Sequence, residues 1–249
     1  MQTGNHHAVW NIAHRGASGH APENTLAAFR MAVEMSAKFI ETDLQVTRDA
    51  WIVAMHDDTV NRTTESRGHI SKMTLAELRA LDAGAWFAGA SGRSFAGERV
   101  PTLEEILAFA REVDVSFYLE LKTSESWTVE RSLAGALASS GELARATVIS
   151  FDPAVLLSLR RIEPMAMTGL LVERPGMDSI EQAVSMGARQ LLPKANRTTP
   201  DLIRAAREAD LKLVPWTVNE PEEMRALIAN GVDGIITDFP DRLSAVLAE

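Results

Sequence analysis

Glu41 and Asp43 stand two residues apart in the apolar, β-branched run KFIETDLQV (38–46). Glu120 and Lys122 stand two apart in SFYLELK (116–122). Alternate side chains of a strand share a face, so each pair points one way. Charged side chains are rarely buried unless they are paired or bind a metal. Either these four form a structural salt-bridge network, for instance Glu120 with Lys122, or Glu41, Asp43 and Glu120 converge on a cation that offsets their repulsion. Oxygen-only ligands suit Mg²⁺ or Ca²⁺ rather than Zn²⁺. Two such pairs on adjacent predicted strands, with histidines near, favour the cation.

His14 ends the run VWNIAH (9–14) and His56 ends WIVAMH (51–56). Both are expected at the carboxylate cluster, where an imidazole pair can divide the acid and base roles near neutral pH. Arg15 and Lys122 add local positive charge. Arginine matches phosphate oxygens bidentately and lysine meets them as a point charge. Gly16 permits either close approach to an anion or a tight turn. Trp216, in VPWTVN, is either barrel packing or a wall for an apolar or polyol group of a substrate. Asp238 reads as a helix cap, and His20 and His69 as satisfied residues outside the chemistry. His6-His7 reads as an inert terminal pair rather than a metal tract.

The elements that must position these residues follow a strand–helix rhythm. Runs at 168–172, 190–194, 212–218 and 234–238 recur at roughly 22-residue spacing, close to the shortest βα unit. Helices between them have readable ends: Asp178 with Glu181, Thr199 before Pro200, and Asn219 before a helix closing at Asn230-Gly231. Upstream, a helix is predicted from about Glu23, with Leu26, Phe29 and Val33 on one face. The connection 47–50 is too short for a parallel crossover, so 51–56 must fold back antiparallel on 38–46, with His56 near Glu41. Eight parallel strands result, at 9–14, 39–46, 117–122, 147–151, 168–172, 190–194, 212–218 and 234–238. The expected fold is α/β, a (β/α)8 TIM barrel in a single domain over 1–249. Residues 57–100 fit no βα unit and are read as an insertion, with a helix capped by Thr74 and Glu77. Thr102 with Glu105 caps the helix that resumes the barrel.

Composition sets outer bounds. The chain has 249 residues, 46% of them hydrophobic, and a formal net charge of −9, which argues against nucleic acid as a partner. It has no cysteine, so disulfides, thiolate metal sites and a cysteine nucleophile are excluded. No secretory signal and no run long enough to span a bilayer is visible, so a cytoplasmic protein without stable membrane anchoring is expected.

The strings holding these residues are similar to those of the glycerophosphodiester phosphodiesterase family. AHRGASGHAPENTLAAF (13–29) resembles its opening signature, and ETDLQVTRD (41–49) and MHDDTVNRTT (55–64) its second block. LDAGAWF, PTLEE, LELK, ISF, WTVN and GIITDFP follow in the family's order. The resemblance implies Glu41, Asp43 and Glu120 as ligands of one divalent cation, Mg²⁺ or Ca²⁺. It implies His14 and His56 as the acid/base pair, and Arg15 and Lys122 as phosphate holders. It further implies that a glycerophosphodiester is hydrolysed to sn-glycerol 3-phosphate and an alcohol. The rival expectations are a barrel phosphodiesterase acting on a lipid head group, with Trp86-Phe87 as its lip, and a non-catalytic phosphodiester-binding barrel. Asp49-Ala50 departs from the family's Asp-Gly turn and puts the hairpin geometry in question.

Overall fold

The computed structural model describes residues 8–89, 92–122 and 128–249; His6-His7 lies outside them. The elements in chain order are β1 (Trp10–His14), α1 (Leu26–Glu34), β2 (Phe39–Val46), β3 (Ile52–Ala54), α2 (Leu75–Arg79), α3 (Leu103–Val113) and β4 (Ser116–Leu121). There follow α4 (Thr128–Ser140), β5 (Ala146–Ser150), α5 (Pro153–Ile162), β6 (Met167–Val172), α6 (Met177–Ser185) and β7 (Gln190–Pro193). The chain ends with α7 (Pro200–Glu208), β8 (Lys212–Leu213), α8 (Pro221–Asn230), β9 (Gly234–Thr237) and α9 (Pro240–Leu247).

The parallel strands lie in the order β8-β7-β6-β5-β4-β2-β1-β9, with β3 paired antiparallel to β2 off that path. The two ends of the order meet through the backbone. Asp233 N–H donates to the Leu213 carbonyl at 3.0 Å, Ile236 N–H to Pro215 at 3.0 Å, and Val218 N–H to Ile236 at 2.9 Å. Helices alternate with these strands, giving the (β/α)8 barrel. Regular pairing of β8 is shorter than the predicted 212–218 because Pro215 has no N–H to give the ladder. Val214 and Trp216 still donate to Leu191 and Pro193.

Inside the barrel, every second residue forms an apolar plug: Ile12, Tyr118, Ile149, Leu171, Leu192, Val214 and Ile236. The opposite faces of the strands pack against the helices through residues such as Phe29, Ile106, Phe117 and Leu156. Capping boxes at Thr74/Glu77 and Thr102/Glu105 start α2 and α3 as expected. Thr199 caps α7, with Pro200 in its first turn.

Three helix starts differ from the sequence reading. α1 begins at Leu26, not Glu23, because Thr25 caps it, and its buried face is Ala28, Phe29 and Ala32. α6 is entered from Gly176, and Asp178 lies inside its first turn. α8 is capped from Glu220, since the Asn219 side chain is engaged elsewhere, as described below.

The segment between β3 and α3 builds its own small core, where Val60, Ile70, Leu78, Ala83 and Val100 pack on Val53 and Met55 of the hairpin. Phe87 stacks edge-on against Phe95 at 5.7 Å, and Phe95 is buried with Ala21 and Ala28. Trp86 keeps 36% of its surface exposed and donates its indole N–H to the Ala83 carbonyl. Among the described residues no helix is long and apolar enough to cross a membrane.

The hairpin turn tolerates its Ala at a cost. Ala50 has φ +66°, while Thr47 holds the turn by accepting from Trp51 N–H and donating to Asp49. A left-handed conformation costs a residue with a Cβ about 1–2 kcal/mol, part of which glycine returns as unfolded-state entropy. Ala50→Gly is therefore expected to stabilise by about 0.5–1 kcal/mol, a rise of roughly 1–3 °C in melting temperature. A lower melting temperature in calorimetry contradicts this account of the turn.

Candidate active site

One end of the barrel interior is charged where the rest is apolar. In the strand ladders His14 lies beside Glu41, and Asp43 beside Glu120. Each follows the plug by two residues: His14 after Ile12, Glu120 after Tyr118. The register that buries the plug therefore turns these groups into the mouth. A cavity of ≈ 220 Å³ opens there, lined by His14, Arg15, Glu41, His56, Glu120, Lys122 and Trp216, among others. Asp43 lies behind this lining, in the same acid cluster.

The three carboxylates are almost fully buried, Glu41 at 3%, Asp43 at 1% and Glu120 at 8% exposure. Their oxygens lie within 4.8 Å of one another. Burial, and then the neighbouring Asp43 charge, push Glu41 up to about 8. Burial and Asp43 raise Glu120 as well. Burial also works against an ionised Asp43, but the charges of Lys122 and Arg15 outweigh it and hold that carboxyl far below the usual range. Lys122 Nζ bridges Asp43 at 2.7 Å and Glu120 at 2.5 Å. Arg15 donates its backbone N–H to Glu41 at 3.0 Å, and its Nε lies 3.1 Å from Asp43. That last contact is a charge contact, not an aligned hydrogen bond. Asn24, at φ +56°, donates to Asp43 and accepts from Thr42.

This donor set fits a hard divalent cation. Oxygens bound at about 2.1–2.5 Å from one ion are at most about 5 Å apart, a limit that the 4.8 Å spread satisfies. Two buried acids raised by burial and by the Asp43 charge mark a site short of positive charge.

Each histidine is braced from behind. His14 Nδ1 meets Asp238 at 2.6 Å, with its Nε2 at 3.9 Å from Glu41. His56 Nδ1 meets Asp57 at 2.8 Å, and its carbonyl accepts from Gln45. Burial disfavours a charged His14, but Asp238 and Glu41 more than offset it and its pKa rises. His56 is lowered by burial first, against an opposing pull from Asp43. His56 lines the same cavity as Glu41, and the carboxylate charge that acts on it is that of Asp43. The hairpin register, Leu44 opposite Ala54, brings His56 alongside Thr42, between Glu41 and Asp43 in the chain.

Several participants escaped the sequence reading. Asp238 is not a helix cap: Phe239 takes that position. Asp238 instead accepts from Ser18 and Asn219 while holding His14. Arg62, from the segment between β3 and α3, ties Glu23 and Asp57 together with four bonds of 2.6–3.0 Å. Glu23 in turn binds Arg15 at 2.8 Å, so one guanidinium steadies the partners of both Arg15 and His56. Gly16, at φ +81°, serves close packing: a Cβ there would lie 2.6 Å from the backbone of Ala28. His20 is paired with Asp241 and His69 with Asp58. Trp216 is tied to the barrel and also lines the cavity. Its indole N–H donates to the Leu192 carbonyl at 2.8 Å and its ring lines the cavity. The signal that could have found Asp238 is parity, because it lies two residues beyond the plug residue Ile236.

A family model described as the glycerophosphoryl diester phosphodiesterase family matches residues 14–242. The chain is 38% identical over 234 residues to a glycerophosphodiester phosphodiesterase of Caldanaerobacter subterraneus subsp. tengcongensis, covering 93% of this chain and 95% of that one. It superposes with TM-score 0.86 and 28% identity on an Oleispira antarctica phosphodiesterase in complex with the product sn-glycerol-3-phosphate, covering 96% of each chain. A glycerophosphodiester phosphodiesterase from Agrobacterium tumefaciens gives TM-score 0.82 at 28% identity, covering 95% of this chain and 99% of that one.

Crowding of the acids makes a stability prediction. Without divalent ions, Glu41→Gln removes an acid that the fold must bury and push toward protonation, and it keeps an oxygen for the Arg15 N–H. In EDTA its melting temperature is expected to rise by about 2–4 °C, the equivalent of ~1 kcal/mol. The same variant should lose most of the further rise that Mg²⁺ or Ca²⁺ gives the unsubstituted protein. Destabilisation in EDTA, with an undiminished response to the ions, contradicts the cluster's role as a cation site.

Proposed function

The chain belongs to the glycerophosphoryl diester phosphodiesterase family, and from that membership we propose that it hydrolyses glycerophosphodiesters to sn-glycerol 3-phosphate and an alcohol by metal-dependent acid/base catalysis. The observation that carries this reading is the convergence of two braced imidazoles, two buried carboxylates and two cations on one cavity, with Asp43 completing the acid cluster behind it. Residues 57–100 are read as an insertion on a single barrel domain, and a cytoplasmic setting suits an acidic chain with no membrane-spanning helix among its described residues.

Glu41, Asp43 and Glu120 are the proposed ligands of one Mg²⁺ or Ca²⁺. When bound, such an ion supplies positive charge to the phosphate oxygens as negative charge grows on them. Arg15 bonds Glu23 through Nη1 and lies in charge contact with Asp43 through Nε, which leaves its Nη2 donors for a phosphate oxygen. Lys122 adds a point charge on the β4 side. Trp216 offers a ring as the wall for the organic part of the substrate.

The braces on the two histidines suggest how they divide the work. His14 faces two carboxylates, Asp238 and Glu41, so its imidazolium is well stabilised. It is assigned the general acid that protonates the leaving alcohol oxygen. Asp57, behind His56, is already neutralised by Arg62, so His56 gains less by carrying a proton. It is assigned the base that takes the proton from the attacking oxygen, whether of water or of the substrate's own glycerol 2-hydroxyl. With Nδ1 engaged in each ring, Nε2 is the atom left for proton transfer.

Release of sn-glycerol 3-phosphate from glycerophosphocholine with added Mg²⁺ or Ca²⁺ tests the reading. His14→Ala and His56→Ala are each expected to lower kcat by about 10²–10⁴-fold with melting temperature preserved. Wild-type turnover in both variants refutes the acid/base assignment. EDTA is expected to abolish activity and either ion to restore it; full activity in chelator removes the metal from the mechanism.

A further inference from the structure

The charges around the cavity are unevenly placed. His14 and Arg15 come from β1, Glu41 and Asp43 from β2, and Glu120 and Lys122 from β4, which are neighbours in the sheet. In the closed order the strand diametrically opposite β1 is β6. What β6 delivers to the cavity lining is another carboxylate, Glu173. It stands two residues beyond Leu171 of the interior plug, so parity turns it inward.

Glu173 differs from every acid in the catalytic half, because no cation among the described residues pairs with it. Lys194, the next residue beside it in the β6–β7 register, is exposed and forms no ion pair with it, and two aromatic residues share the lining. Phe151, just past β5, and Trp216, just past the β8 pairing, meet edge to face with centroids 5.5 Å apart. Phe151 leaves 43% of its surface exposed. Trp216 has spent its N–H on Leu192, so it offers the cavity only ring.

A lone carboxylate beside open aromatic rings suits an alkylammonium group, which gains from the charge and from the ring faces together. We propose that Glu173, Phe151 and Trp216 form a subsite for the cationic head of the substrate's alcohol, a primary or quaternary ammonium. The proposal rests on the phosphodiesterase reading above and adds the class of alcohol to it. A zwitterionic glycerophosphodiester matches both halves of the cavity: its phosphate faces Arg15 and Lys122, and its ammonium faces Glu173. A neutral polyol head meets no opposite charge there, and an anionic head is repelled.

The test compares kcat/KM for glycerophosphocholine with that for glycerophosphoglycerol in the unsubstituted enzyme, Glu173→Gln and Glu173→Lys. The ratio is expected to favour choline, to fall by about three- to tenfold in Glu173→Gln, and to fall further in Glu173→Lys. A ratio that neither variant moves overturns the subsite and leaves the phosphodiesterase reading standing. An unsubstituted enzyme inactive on both substrates overturns that reading, and the subsite with it. Tetramethylammonium chloride gives a check that needs no variant. Inhibition competitive with glycerophosphocholine, beyond that of sodium chloride at equal ionic strength, is expected, and its absence overturns the proposal.

Discussion

In a barrel strand every second side chain points to the interior, and the site is built on that repeat. One register puts Ile12, Tyr118, Ile149, Leu171, Leu192, Val214 and Ile236 into the plug, and Lys194, two places past Leu192, is exposed outside the cavity lining. The other residues two places further on are His14, Glu120, Phe151, Glu173, Trp216 and Asp238. Five of these line the cavity, and Asp238 braces His14. A one-residue slip in any strand would bury a polar group against the helices and expose an apolar one. Packing of the plug and placement of the charged layer are thus a single constraint.

That constraint forces like charges together. Glu41, Asp43 and Glu120 share a buried corner, and Lys122 and Arg15 compensate them only in part: Asp43 is held strongly ionised while Glu41 and Glu120 are pushed toward protonation. Such an arrangement is costly to an empty fold and favourable once a cation is held, a common trade of stability for function. Across the barrel the surroundings are apolar and aromatic, with one unpaired acid, so the cavity has two chemically different halves.

Bracing reaches the site from outside the barrel strands. Arg62 belongs to the segment between β3 and α3, yet it is bonded to Glu23 and Asp57 at once. This segment therefore links the turn that presents Arg15 to the hairpin that presents His56. Asn219 does the corresponding work on the far side, holding Asp238 through its side-chain amide and carbonyl.

Much of this could be read from the chain itself. Strand–helix alternation, the antiparallel hairpin, the capping boxes at Thr74 and Thr102 and the paired carboxylates all rest on periods or spacings of a few residues. Sequence carries those directly, because they express backbone geometry and nearest-neighbour chemistry. The misreadings came where a side chain had a local use and a distant one. Asp238 and Asn219 looked like helix caps, since Asp and Asn before a helix usually are. Closure of the barrel sets β9 beside β1, and so joins Asp238 to His14 across 224 positions of chain. The sequence alone determined which residues share a face of each strand. Only the closed fold decided which faces meet, because ring closure and the register between strands join side chains that no short-range spacing relates.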